Sequence, residues 1–168
     1  MSSSLPVLVI MLADNCAHCA NFKRNFLNKF RELVKSYGKV TLVEINFKDY
    51  TKPVLDPSYP SDLLKIRAYP SFNLIPASTW ANGKAGNPMK NILTYGIMFK
   101  DGNMVQVPVP AATPENLMNW VKNNVDNDHI FSSTFVEKNE STIPKPESDG
   151  KKMFPTEGTC FFKKAYKH

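Results

Sequence analysis

Cys16-Ala17-His18-Cys19 places two cysteines two residues apart, just after the apolar run Val7 to Leu12. A thiolate is the reactive form of cysteine. The start of a helix favours it with partial positive charge and free backbone N–H groups. Cys16, in the first turn, gains most. Cys19 is one turn along, close enough to close a disulfide back onto Cys16. That spacing suits dithiol–disulfide exchange, with Cys16 attacking a partner's disulfide and Cys19 resolving the mixed disulfide. His18 adds a cation that would stabilise the Cys16 thiolate, and hence the reduced form, and make the pair more oxidising. Plainer readings stay open. The pair is then structural or a permanent disulfide, and His18 a solvated residue at a helix start. Zinc is a poor fit, because structural zinc sites want four ligands and no second C-x-x-C accompanies Cys16, His18 and Cys19.

The elements that must position these residues are legible in outline. Val7 to Leu12 is a continuous apolar run, as expected of a strand buried on both faces. Phe22, Phe26, Phe30, Leu33 and Tyr37 recur at spacings of three and four, which predicts one long helix from about Cys16 to Ser36 with Gly38 as its terminator. Val40 to Phe47 is rich in β-branched residues and reads as a second strand. Residues 48–60 read as a loop, and Ser61 caps a short helix from Asp62 to about Arg67. Ser71 to Ile75 reads as a strand. Residues 76–91, with Gly83, Gly86, Asn82, Asn87 and two prolines, read as a long surface loop. Ile92 to Phe99 and Met104 to Val109 flank Lys100-Asp101-Gly102-Asn103, a strong hairpin signal. Thr113-Pro114-Glu115 opens a helix to about Val125. The expected order is β-α-β-α-β-β-α. The first two strands are then parallel and the hairpin antiparallel, in a mixed four-stranded sheet with helices on both faces.

At this point the chain resembles the thioredoxin superfamily over roughly Leu5 to Val125. Besides the C-x-x-C, Ile66-Arg67-Ala68-Tyr69-Pro70-Ser71-Phe72 is similar to the segment these proteins set opposite the dithiol. The resemblance implies a thioredoxin-like α/β fold, Cys16 as nucleophile, Cys19 as resolving cysteine and Pro70 as a cis-proline. Pro70 would hold the Tyr69 backbone ready to pair with an extended substrate segment. The chain departs from the family pattern at four residues and by the loop 76–91, which is an insertion before the hairpin. Asn15 stands where members carry Trp, Ile10 where many carry a buried Asp, Glu44 where thioredoxins carry Lys, and Arg24 where a kink proline is usual. Glu44 is an acid–base candidate for Cys19, or else a strand residue pointing outward. The Ala-His spacer is closer to that of protein disulfide isomerases than to that of thioredoxins.

The chain has 168 residues, with 42% hydrophobic and 21% charged, which excludes global disorder. Three cysteines exclude a disulfide scaffold. No apolar run reaches the roughly 18 residues of a membrane span. Leu5 to Ala13 lacks the basic flank and cleavage site of a leader, so the expectation is a first strand and an unsecreted protein. Residues 1–125 form the expected domain and carry the whole net charge of +6. Residues 126–168 are the expected interaction tail, extended or disordered when alone. The tail is acidic over 126–150 and basic over 151–168. Its apolar anchors are Phe131, Phe135, Val136, Met153, Phe154, Phe161, Phe162 and Tyr166. Cys160 reads there as an ordinary thiol more than as a third redox partner. His129 and His168 read as solvated.

The functional expectation is a thiol–disulfide oxidoreductase or isomerase acting on protein thiols and disulfides. It needs no cofactor and no metal, and has no specific nucleic acid partner. The alternative is a structural module of a large assembly, such as a minor capsid or virion component, that threads its tail along neighbouring subunits. A basic, Asn-rich, leaderless chain with an oxidising-type spacer is similar in style to proteins of large DNA viruses, so the expected location is cytoplasmic or virion.

Overall fold

In a computed structural model, residues 4–127, 152–153 and 159–161 are described. The expected tail anchors Phe131, Phe135, Val136, Phe154, Phe162 and Tyr166, with His129 and His168, lie outside them.

The first strand, β1 (Val7–Ala13), is buried along its whole length, as its unbroken apolar run requires. It pairs in parallel with β2 (Thr41–Phe47) on one side and antiparallel with β4 (Ser71–Ile75) on the other. The sheet continues through β5 (Leu93–Thr94), β6 (Ile97–Lys100) and β7 (Asn103–Gln106), in the order β2-β1-β4-β5-β6-β7. The fold is thus mixed α/β. The sheet has six strands rather than four. One cause is Gly96. Its φ of +76° turns the chain between Thr94 and Ile97, so the segment expected as one strand over 92–99 folds back on itself. The next turn, Asp101-Gly102, has positive φ at both residues, the backbone that a two-residue hairpin prefers.

The expected single helix is two, α1 (Ala17–Asn25) and α2 (Leu27–Tyr37). Phe26 leaves helical geometry between them, at φ −131° and ψ −26°. Its N–H still reaches the Phe22 carbonyl at 2.8 Å, so the two stay stacked end to end. Across the break, Phe22 and Phe30 both close on Phe72 of β4, with ring centroids 5.0 and 6.3 Å away. The phenylalanine stripe is core. Gly38, in the left-handed region, ends α2.

After a 3-10 turn at Ser61–Lys65 comes the two-residue strand β3 (Ala68–Tyr69). The segment 76–91, expected as a loop, contains α3 (Ala77–Lys84). Gly83 is a packing residue there. A Cβ at this position would sit 2.5 Å from Met89 Sδ and 2.8 Å from Pro60 Cβ. Strand β8 (Val109–Pro110) leads to α4 (Pro114–Val125), where Thr113 Oγ1 accepts the Asn116 N–H at 3.2 Å. Helix α4 packs on α2, and Asp126 beyond it accepts from the Tyr37 hydroxyl at 2.7 Å.

Two short strands from the expected tail pair back onto the domain. Strand β9 (Lys152–Met153) pairs with β8, and β10 (Cys160–Phe161) pairs antiparallel with β3. No helix among the described residues is long and apolar enough to cross a membrane.

Candidate active site

The site forms where β1 ends. The Asp14 N–H bonds to the Phe47 carbonyl at 2.8 Å, which ends the β1–β2 ladder and releases the chain toward α1. Asn15 fixes the connecting loop. Its side chain donates to Asp49 at 2.8 Å and accepts the Tyr50 N–H at 3.0 Å. Cys16 then stands as the N-cap residue of α1, in extended conformation. Its N–H bonds to the Ala13 carbonyl at 3.4 Å, and its own carbonyl accepts the Ala20 N–H at 3.1 Å. These bonds put Cys16 at the positive end of a nine-residue helix.

Cys16 is disulfide-bonded, but not to Cys19. Its partner is Cys160, 144 residues away in sequence, with the Cα atoms 6.1 Å apart. Cys160 lies on β10, opposite Tyr69 in the antiparallel pair, and Phe161 lies opposite Ala68. The Tyr69–Pro70 bond is cis. Cys16 Sγ is 3.3 Å from the Tyr69 carbonyl oxygen. A disulfide sulfur has no proton to give, so this is a contact in the bonded state. It becomes a hydrogen bond only when Cys16 is a thiol. Cys16 is only 1% exposed, and Cys160 is half-buried.

Cys19 is a free, fully buried thiol one turn into α1. Its sulfur accepts the Ala13 N–H at 3.3 Å. Burial pushes the thiol up to about 11, outweighing the Ala13 N–H and the Lys23 charge, which pull it down. Tyr69 forms the adjoining wall. Its ring meets Phe47 at 5.6 Å and Tyr50 at 6.0 Å, and its hydroxyl is buried without a hydrogen-bond partner among the described residues. Burial raises that phenol to about 12.

The structure therefore gathers Cys16, Cys19, Tyr69 and Pro70, and adds Cys160. His18 is exposed on the first turn of α1. Glu44 is taken elsewhere. It pairs with Ile10 in the β1–β2 register, and both its carboxylate oxygens accept from Arg31 of α2 at 2.7 Å. The planar guanidinium matches a carboxylate with two parallel bonds, so Glu44 is held by Arg31 rather than offered to Cys19. Asn15 and Cys160 are the residues that sequence reasoning undervalued. The signal for Cys160 was a third, odd cysteine beside Phe161-Phe162, in a stretch able to run as a strand.

Among the described residues, no group of three or more His, Cys, Asp or Glu is placed to hold a metal ion. In comparisons with known proteins, no family model matches the chain, and no curated protein and no solved structure matches it.

Proposed function

We propose that the chain is a thiol–disulfide oxidoreductase or isomerase of thioredoxin-like fold that acts on protein cysteines. The observation that carries the reading is the state of Cys16. It sits at a helix start, already joined by a disulfide to an extended strand that is paired with Tyr69. An exchange nucleophile with a bound substrate has this arrangement. The parallel β1–β2 pair, the antiparallel hairpin and the placement of Cys16 against Tyr69-Pro70 support the likeness to thioredoxins.

In the proposed reaction the Cys16 thiolate attacks a substrate disulfide. One S–S bond breaks as the Cys16 mixed disulfide forms, and a substrate thiolate leaves. Cys19 then attacks Cys16 Sγ, closes Cys16–Cys19 and expels the second substrate thiolate. The substrate disulfide gains two electrons and the dithiol loses two. The proton released by Cys19 goes to the departing thiolate. Run backward, the same steps oxidise a substrate dithiol. The alternative of a structural module finds less support, since both described tail strands pair with the chain's own domain.

Insulin reduction and reactivation of scrambled ribonuclease test the reading. Wild-type protein should catalyse at least one of them and Cys16→Ser neither. Equal inertness of the two proteins in both assays would remove the enzymatic reading.

A further inference from the structure

We propose that Cys160 is a third exchange thiol, an internal substrate that the chain delivers to Cys16 and that Cys19 releases. The inference rests on the reading of Cys16 as an exchange nucleophile and adds a partner within the same chain.

Strand β10 lies on the Tyr69 edge, with Cys160 opposite Tyr69 and bonded to Cys16. It therefore fills the place proposed for an extended substrate segment. A substrate from outside needs that edge and the Cys16 sulfur, and both are taken while β10 is docked. Cys16 is 1% exposed in this state. Next to this disulfide, one helical turn along, stands the free thiol of Cys19. Residues three apart on a helix are neighbours. A thiol beside a disulfide is the reagent that opens it, so a permanent staple would be poorly protected here.

The release step balances without any outside reagent. The Cys19 sulfur, once deprotonated, attacks Cys16 Sγ. The Cys16–Cys19 bond forms and the Cys16–Cys160 bond breaks. Cys160 leaves as a thiolate and takes up a proton equal to the one Cys19 lost. No electrons enter or leave the chain, so the step is an isomerisation between two states with one disulfide each. In the first, β10 is docked and the edge closed. In the second, Cys16–Cys19 is oxidised, Cys160 is a free thiol, and the Tyr69 edge is open to a substrate dithiol. The high proton affinity of the buried Cys19 thiol makes the docked state slow to open.

The test uses the full-length chain. Wild type, Cys19→Ser and Cys160→Ser are equilibrated in glutathione buffers over a range of ratios. They are quenched with acid, alkylated, digested without reduction and mapped by mass spectrometry. Wild type should contain both Cys16–Cys160 and Cys16–Cys19. Because the two isomers are equally oxidised, their ratio should stay constant as the glutathione ratio changes. Cys19→Ser should hold only Cys16–Cys160, and Cys160→Ser only Cys16–Cys19. Wild type with Cys16–Cys19 alone and Cys160 always alkylated overturns the proposal and leaves the dithiol reading intact. Wild type with Cys16–Cys160 alone, while Cys160→Ser still forms Cys16–Cys19, makes the tail bond a staple and also overturns it. If Cys16–Cys19 forms in neither protein, the underlying dithiol reading falls as well.

Discussion

Cys160 and Tyr69 face each other across an antiparallel strand pair, and the Tyr69 carbonyl oxygen is 3.3 Å from the sulfur to which Cys160 is bonded. Backbone pairing and covalent capture thus act on the same residue. Pairing sets the position of the extended segment, and the disulfide records where its cysteine falls. On the proposed reading, an extended substrate on this edge would present a side chain to Cys16 at the register position that Cys160 holds.

Glu44 is expected to be dispensable for exchange. Its carboxylate is engaged by Arg31, and both side chains are substantially exposed, at 29% and 46%. A pair so placed contributes about 0–1 kcal/mol to stability. Glu44→Gln should lower the melting temperature by a few degrees at most and leave the rate of insulin reduction unchanged. A tenfold loss of rate in a folded Glu44→Gln protein would restore Glu44 as an acid–base group.

Cys19 is expected to titrate late. Its folded value of about 11 lies above the ordinary 9.0. The folded state therefore holds the Cys19 proton more tightly than the unfolded chain does. The resulting stability is fully present below about pH 9 and is lost as pH rises toward 11. In the tail-bonded protein, the thiolate absorbance near 240 nm that distinguishes wild type from Cys19→Ala should have its midpoint near pH 11. A midpoint at or below the ordinary thiol value would mean that burial does not govern this sulfur.

Much of the site was legible because its signals are local. The dithiol spacing and the apolar run before it each point to one element, and the aromatic stripe marks the buried face of two stacked helices without showing the break at Phe26. Tyr69-Pro70 was marked by its likeness to the segment that thioredoxins set opposite the dithiol, not by any local pattern, and the short strand β3 was not foreseen. What escaped were long-range relationships. Cys160 lies 144 residues from Cys16, and nothing in the residues around it names its partner. Glu44 of β2 and Arg31 of α2 are held together by their side chains, a pairing that no spacing reveals. Helix α3 was hidden for another reason. Asn82 and Gly83 carry the composition of a loop, yet Gly83 is small to admit Met89 and Pro60, not to break the chain. The split at Gly96 was likewise invisible, since one glycine in an apolar run is compatible with a bulge, a bend or a full turn.

The packing around Gly83 can be checked directly. Gly83→Ala would drive a methyl into Met89 and the Pro60 ring, at 2.5 to 2.8 Å. Overpacking of this kind costs about 1–3 kcal/mol. Calorimetry should show a clear loss of melting temperature, partly recovered in Gly83→Ala combined with Met89→Ala, since the flexible side chain is the nearest obstacle. A Gly83→Ala protein as stable as wild type would contradict the packing described around α3.

The most direct measurement of Cys16 as the exchange nucleophile uses the Cys19→Ser/Cys160→Ser protein, whose only cysteine is Cys16. It is mixed with a short peptide copying residues 156–164, its cysteine activated as a thionitrobenzoate disulfide. Attack by Cys16 breaks that disulfide, releases coloured thionitrobenzoate and leaves the peptide on Cys16. The expected result is one equivalent of colour and one peptide per chain, formed faster than with a scrambled peptide that has no strand to match the Tyr69 edge. Equal rates for both peptides, no faster than those of a free cysteine, would contradict the account.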